Sequence, residues 1–290
     1  MQNDIANKLL IVLVVYQQNY FDTIAYKSLG YNIRKLDPSN AGRFGIFIYD
    51  NSPNKYNETS SIPGLTQTYY HNPENPGVST AYNAGYYYAK NTEYNWLILA
   101  DQDTEFSAAG LEEYLKSISV FPDVLIHSPI LRIDNQIISP SKYKFRRGFP
   151  LKAVEPGKQN LGDIVPLNSG MCINLRVFER IAIYNEKIRL DFSDFDFIRR
   201  ITPQVKYFVV MPVAFNHSLS SYSETYDSAL NRFKYYCDGA YHSIITVTDF
   251  FLFGLVTFMR GIKLCYKFRR LKFLKVFYNS YVLKKKFNEI

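Results

Sequence analysis

The stretch Trp96-Leu97-Ile98-Leu99-Ala100-Asp101-Gln102-Asp103-Thr104-Glu105 decides how the chain is read. Five apolar residues run without interruption into two carboxylates one residue apart. An unbroken apolar run bounded by polar residues predicts a strand buried on both faces, as in a parallel sheet covered by helices. Side chains alternate along a strand, so Asp101 and Asp103 are expected to leave its end on one side and Gln102 on the other. Ligands in open α/β sheets bind beyond the carboxyl ends of the strands. Two hard oxygen donors there suit Mg2+ or Mn2+ and, through the metal, a diphosphate. The spacing also occurs at Asp194-Phe195-Asp196, and alone it describes a solvated loop better than a metal site.

Around this stretch, strand and helix patterns alternate. Residues 9–16 are apolar and β-branched, a buried first strand. Residues 20–29 read as a helix ended by Gly30, and 44–49 as a strand running into the turn cluster Asp50-Asn51-Ser52-Pro53. A short strand is expected at 68–71, and a helix at 78–90 with Ala81, Ala84 and Gly85 on a small-residue face. A further helix is expected at about 108–119. Downstream come short strands at 124–127 and 137–138, a Lys- and Arg-rich loop at 142–147, and the turn Asn168-Ser169-Gly170. A helix at 175–183 and a strand at 206–215 follow. This alternation implies a parallel sheet with right-handed crossovers. Neither Gly-x-Gly-x-x-Gly nor a Gly-Lys-Ser/Thr loop is present, which disfavours dinucleotide and P-loop chemistry.

At 290 residues, with 47% hydrophobic and 21% charged, the chain describes a folded protein, either one large α/β domain or one domain plus an appendage. The net charge of +8 is uneven: residues 260–290 carry ten Lys or Arg against one acid, which leaves about −1 for the rest. A nearly neutral body argues against nucleic acid as the partner. Cys172, Cys237 and Cys265 are widely spaced without a Cys-x-x-Cys, so neither zinc nor a disulfide framework is indicated, and a reducing cytosol is the expected compartment. The apolar run at 9–15 is too short for a signal peptide, and the one at 250–259 falls below the ~18 residues of a spanning helix. Ile262, Cys265, Phe268, Leu271 and Leu274 recur every three residues among Lys and Arg. They predict a basic amphipathic segment, lying on an anionic membrane face or packed on the body.

Residues 191–200, Asp-Phe-Ser-Asp-Phe-Asp-Phe-Ile-Arg-Arg, interleave three acids with aromatics. Aromatic neighbours desolvate a carboxylate and raise its pKa, as a general base near neutral pH requires. Acids also sit well at a helix N-terminus, which accounts for the pattern without catalysis.

In order, residues 11–16, Asp50-Asn51-Ser52, 75–85 (Asn-Pro-Gly-Val-Ser-Thr-Ala-Tyr-Asn-Ala-Gly), Leu99-Ala100-Asp101-Gln102-Asp103, Ser169-Gly170, 191–200 and His217 resemble a family 2 glycosyltransferase of the GT-A fold, within its bacterial rhamnosyltransferase-like branch. The resemblance implies a mostly parallel, Rossmann-like α/β sheet flanked by helices, with a catalytic domain at 1–238 and a C-terminal basic helical region at 239–290. It implies Asp194 as the catalytic base, and donor contacts at Asp50, Asn83, Gly85, Asp101 and Arg200. Asp101, Asp103 and His217 would hold a divalent Mg2+ or Mn2+, and Asp191, Ser169 and Gly170 would face the acceptor. The implied activity is inverting, metal-dependent transfer of a hexose or deoxyhexose, with rhamnose a candidate. The donor would carry dTDP, UDP or GDP, and the acceptor would be a lipid-linked glycan of an O-antigen or capsule. The implied place is the cytoplasmic face of the cell membrane. Cys237-Asp238-Gly239 stands where the branch often has Arg-Asn after Tyr-Tyr, and Asp196 where Glu is common. A non-catalytic glycan- or membrane-binding protein of the same fold, and a sugar-nucleotide pyrophosphorylase, are the alternative readings.

Overall fold

The computed structural model describes residues 7–56, 59–217 and 225–285. The first strand forms as β1 (Leu9–Val15), buried at every residue. Leu10, Val12 and Val14 enter the core on one face of the sheet, and Leu9, Ile11, Leu13 and Val15 the core on the other. A strand with two covered faces has no polar side to show, which is why its sequence does not alternate.

β1 pairs in parallel with β2 (Phe44–Asp50), which pairs in parallel with β3 (Thr66–His71). On its other side β1 pairs in parallel with β4 (Trp96–Asp101), the strand of the opening stretch. The connecting helices are α1 (Ile24–Lys35), the short α2 (Pro38–Ala41) and α3 (Val78–Lys90); α4 (Gly110–Val120) follows β4. The order β3-β2-β1-β4 reverses direction at β1, a switch point that opens a crevice at the carboxyl ends of the strands. Register sets Val14 opposite Asp101 and Val15 opposite Asp50, so both acids emerge at the same edge.

The second half extends the sheet with β5 (Thr104–Glu105), β6 (Ile126–Ile133), β7 (Gln136–Ser139), β10 (Gly157–Asn160), β11 (Cys172–Asn174) and β12 (Tyr207–His217). β11 lies antiparallel between β4 and β6, and β6 runs parallel to β12. Helices α5 (Leu175–Arg180) and α6 (Ser193–Ile201) complete this part. The result is the expected GT-A-type α/β architecture with a C-terminal helical extension. That extension comprises α7 (Tyr226–His242), α8 (Val247–Phe268), α9 (Lys272–Phe277) and a π turn at Tyr278–Val282. Residues 238 and 239 both lie within α7.

Three sequence expectations need correction. The first helix does not stop at Gly30 but continues to Lys35: glycine costs a helix interior only about 1 kcal/mol relative to alanine, and Leu29 and Ile33 on either side of it are buried in the core. The segment 142–147 is not a loop but the turn of a hairpin, β8 (Ser141–Lys144) paired with β9 (Arg147–Pro150), with Phe145 and Arg146 at positive φ. The basic segment is not one helix. Arg269 is left-handed at φ 53 and ends α8; Ile262 and Leu271 are exposed, while Gly261, Leu264, Phe273 and Val276 are buried.

The extension has its own core around Phe233, Phe253, Phe273 and Tyr281, which Ile188 and Phe192 enter from the segment before α6. Asp249, fully buried in the first turn of α8, ties it to the catalytic half. The backbone N–H groups of Ile245 and Thr246 each donate to its Oδ2 at 3.0 Å, Arg199 of α6 donates at 2.7 Å, and Arg146 of the hairpin pairs with its other oxygen. Burial pushes this carboxyl up, but the two N–H groups and the Arg199 guanidinium outweigh it and hold it near 2. No helix among the described residues is long and apolar enough to cross a membrane. Removing one partner from a buried charge network costs about 3 kcal/mol. Asp249→Asn is therefore expected to lower the urea midpoint by a corresponding amount at unchanged m-value; an unshifted midpoint would contradict the tie.

Candidate active site

A cavity of about 790 Å³ opens at the carboxyl edge of the sheet, within the size range of small-molecule sites. Tyr16 and Gln17 after β1, Asn51 after β2, Asp101 at the end of β4, and Gln102 and Asp103 after it line one part of it. Ser169, Asp191, Asp194 and His217 line the rest, together with residues of α7 and α8.

The strand ends at Asp101, and residues 102 and 103 form a turn, so Gln102 borders the cavity as well as the two acids. The Gln102 Oε1 accepts from the Tyr16 backbone N–H at 2.7 Å, which joins this turn to the end of β1. The buried Tyr82 hydroxyl donates to Asp101 Oδ1 at 2.8 Å. A polar chain then connects the acids. The Asp101 N–H donates to Ser169 Oγ at 3.2 Å, and that hydroxyl lies 2.6 Å from Thr104 Oγ1. Thr104 Oγ1 is 2.9 Å from His217 Nδ1, which is 3.6 Å from Asp103 Oδ1. Burial, then the charge of Asp101, pushes the Asp103 carboxyl up to about 6, against the pull of His217.

Among the described residues no group of three or more His, Cys, Asp or Glu converges as a metal cage. The donor set is two neighbouring carboxylates, one of them raised by burial and then by the charge of the other. That set fits a hard cation of the Mg2+ kind, which takes one or two carboxylates from protein and completes its shell with water and substrate phosphate.

Asp194 occupies the first turn of α6, after Phe192 at φ 76. Its Oδ1 accepts from the Phe195 backbone N–H at 2.7 Å. Burial pushes the Asp194 carboxyl up to about 7, opposed by that hydrogen bond and reinforced by the charge of Asp191. Phe195 stacks on Tyr143 of β8 at 4.8 Å, so the hairpin shields the carboxylate's flank. Both readings of the acid-aromatic pattern coexist here: Asp194 sits at a helix N-terminus and is also desolvated. Asp191 has one oxygen 3.5 Å from Arg232 Nη2, and its Oδ2 is buried without a hydrogen bond.

Other residues named from the sequence lie behind this surface. Asp50 is buried, with Oδ1 accepting from the Ser52 N–H at 2.8 Å and Oδ2 from the Tyr69 hydroxyl at 2.6 Å. Asn83 clamps the 184–186 segment, bonding both backbone groups of Tyr184 and the Glu186 carboxylate. Gly85 lets α3 approach β1, since a Cβ would meet Val12 at 2.4 Å. Gly170 has φ +76 and its carbonyl accepts from the Tyr114 hydroxyl at 2.5 Å. Arg200 bonds Asp196 and the Ile183 carbonyl, both at 2.8 Å.

Sequence reading missed the wall built by the extension. Ser228, Asn231, Arg232, Tyr235 and Tyr236 of α7 all face the cavity. Their spacing of i, i+3, i+4, i+7, i+8 marks one helix face, a signal present in the sequence as a polar and aromatic stripe. Arg260 of α8 also lines the cavity and lies 4.0 Å from the Tyr236 ring centre, and Arg147 enters from β9. Asn51, in the turn after β2, has its Oδ1 buried at the cavity with no hydrogen bond.

The sequence profile of glycosyltransferase-like family 2 matches residues 17–241. None of the curated proteins matches the chain. Among solved structures, S. aureus TarS is similar at 12% identity and a TM-score of 0.50, covering 79% of this chain. This chain spans only 39% of that one's length. S. aureus TarS 1–349 in complex with UDP is similar at 12% identity and a TM-score of 0.51, covering 97% of this chain and 76% of that one. At such identities the likeness is one of fold.

The raised Asp194 carboxyl has a stability consequence. Folded Asp194 holds its proton to about pH 7, whereas the unfolded group releases it near 4, so stability falls as pH rises between these values. Asp194→Asn should melt at a higher temperature than wild type at pH 8 and close to it at pH 4. An equal or lower melting temperature at pH 8 would contradict the desolvated carboxylate.

Proposed function

This chain belongs to glycosyltransferase-like family 2, and on that premise we propose that it moves a sugar from a nucleoside-diphosphate donor to an acceptor hydroxyl held in the 790 Å³ cavity. The observation that carries the reading is the meeting, in one cavity, of the Asp101–Asp103 pair and a separate carboxylate, Asp194, pushed up to about 7.

The pair would receive the diphosphate end of the donor. Asp101 and Asp103 would hold Mg2+ or Mn2+ with His217 beside them, and the bound ion would neutralise charge on the departing diphosphate. Tyr82 and the Ser169–Thr104 hydroxyls keep these groups oriented. Asn51 and Gln17, which line the cavity near the ends of β1 and β2, would meet the nucleoside. Arg232 reaches the same cavity from α7 and would add positive charge near the diphosphate.

Asp194 would act as general base. As the acceptor oxygen forms its bond to the anomeric carbon, its proton passes to the Asp194 carboxylate and the carbon–oxygen bond to the diphosphate breaks. One displacement inverts the anomeric centre and needs no protein nucleophile. A pKa near 7 leaves a substantial share of Asp194 ionised at neutral pH while keeping it basic enough to take the proton.

For the donor, TarS 1–349 was solved with UDP, while the rhamnosyltransferase-like pattern points to dTDP-rhamnose. Thermal-shift screening of UDP-, dTDP- and GDP-sugars with Mn2+ separates them. A lipid-linked surface glycan, of the O-antigen or capsule kind, at the cytoplasmic face of the membrane is the acceptor we assign. Asp194→Asn should lower kcat by about 10²- to 10⁴-fold while sparing donor affinity. The wild-type kcat should rise with pH through a limb near 7. Full turnover in the variant would overturn the assignment.

A further inference from the structure

Helix α8 has two unlike faces. Asp249, Phe253, Thr257, Gly261 and Leu264 recur every three or four residues and are buried against α7 and the core of the extension. On the opposite side Val247, Phe251, Leu255, Phe258, Ile262 and Tyr266 are exposed. At 100° per residue these six fall within an arc of about 100°. Met259 borders the arc and is also exposed. The exposure is large: 76% for Val247, 67% for Phe251, 57% for Leu255 and 89% for Tyr266. Single exposed apolar residues are ordinary, but an uninterrupted row along a 22-residue helix is not.

No charged residue lies within that arc, and Lys263 stands beside it toward the helix end. Arg269, Arg270, Lys272 and Lys275 follow in sequence. Between residues 247 and 285 the only acid is Asp249, which is buried and already paired with arginines. A second copy docking on this ridge would bring no acid from its own ridge to meet the lysines. A surface of acyl chains beneath anionic headgroups offers both the apolar and the negative part.

We propose that α8 lies flat on an anionic bilayer, with its Val247–Phe251–Leu255–Ile262 ridge at the acyl–headgroup boundary and the basic residues of its C-terminal end on lipid phosphates. Of the face expected from the sequence, Ile262 belongs to this ridge and Leu271 is exposed beyond the end of α8, whereas Cys265, Phe268 and Leu274 are partly buried. The side of α8 that carries Arg260 lines the cavity, so one helix diameter, about 10 Å, separates the cavity wall from the lipid. The placement takes its purpose from the transferase reading: it would hold the acceptor site beside lipid-linked substrate.

Deleting residues 260–290 would remove Leu264, Phe273, Val276 and Tyr281 from the core, so substitutions on the exposed face are the sound test. The full chain is sedimented with phosphatidylcholine vesicles with and without phosphatidylglycerol. Wild type should pellet with the anionic vesicles and lose this binding as salt is raised. Phe251→Ser/Leu255→Ser and Lys263→Gln/Lys272→Gln should each reduce the partition coefficient by about tenfold or more, with unchanged melting temperatures. The proposal is overturned if wild type pellets with neither vesicle. It is also overturned if both double variants bind as wild type does, or if the ridge instead drives a concentration-dependent dimer that Phe251→Ser/Leu255→Ser dissociates. Donor hydrolysis without vesicles reports on the cavity independently, so failure of the membrane proposal and failure of the transferase reading give different results.

Discussion

The parallel pairing of β1 with β2 on one side and β4 on the other is the constraint on which the site depends. It aligns Val14 with Asp101 and Val15 with Asp50, and so brings the ends of three strands to one edge. Helices packed on each side bury both faces of β1 and β4, making the apolar runs obligatory and their polar ends abrupt. A one-residue slip would exchange the two cores for each other and carry Asp101 away from Tyr82, Ser169 and the cavity.

The cavity is completed by parts remote in sequence. The hairpin at 141–150 sets Tyr143 against Phe195, α6 presents Asp194, and α7 and α8 supply Arg232, Tyr236 and Arg260. Asp249 joins three of these elements through Arg146 and Arg199. The C-terminal helices are therefore a wall of the site, and on their outer side they present the apolar ridge. One helix serves both surfaces because its period separates Arg260 from Leu255 and Ile262 by more than a quarter turn.

Legibility in the sequence followed the physical origin of each feature. The helix at Val78–Lys90 and the strands around Ile11, Ile46 and Ile98 were readable because local pattern and tertiary burial agree there. The acids at 101, 103 and 194 were readable from their apolar or aromatic neighbours. Gly30 misled because its cost of about 1 kcal/mol within a helix is outweighed by the burial of Leu29 and Ile33, which no local pattern reveals. The α7 face, the hairpin and the break at Arg269 were missed because each is set by packing between segments 40 or more residues apart or by one backbone conformation. Asp50, Asn83 and Gly85 match the family's motifs, and here they brace β2, the 184–186 segment and the α3–β1 contact.

The central claim is a division of labour in one cavity, with the leaving diphosphate at Asp101 and Asp103 and the proton at Asp194. Calorimetric titration of UDP and dTDP, with and without Mn2+, into wild type, Asp103→Ala and Asp194→Asn tests it most directly. The account predicts metal-dependent binding of at least one nucleotide that Asp103→Ala abolishes and Asp194→Asn retains. Equal loss in both variants, or binding indifferent to metal and to Asp103, would contradict it.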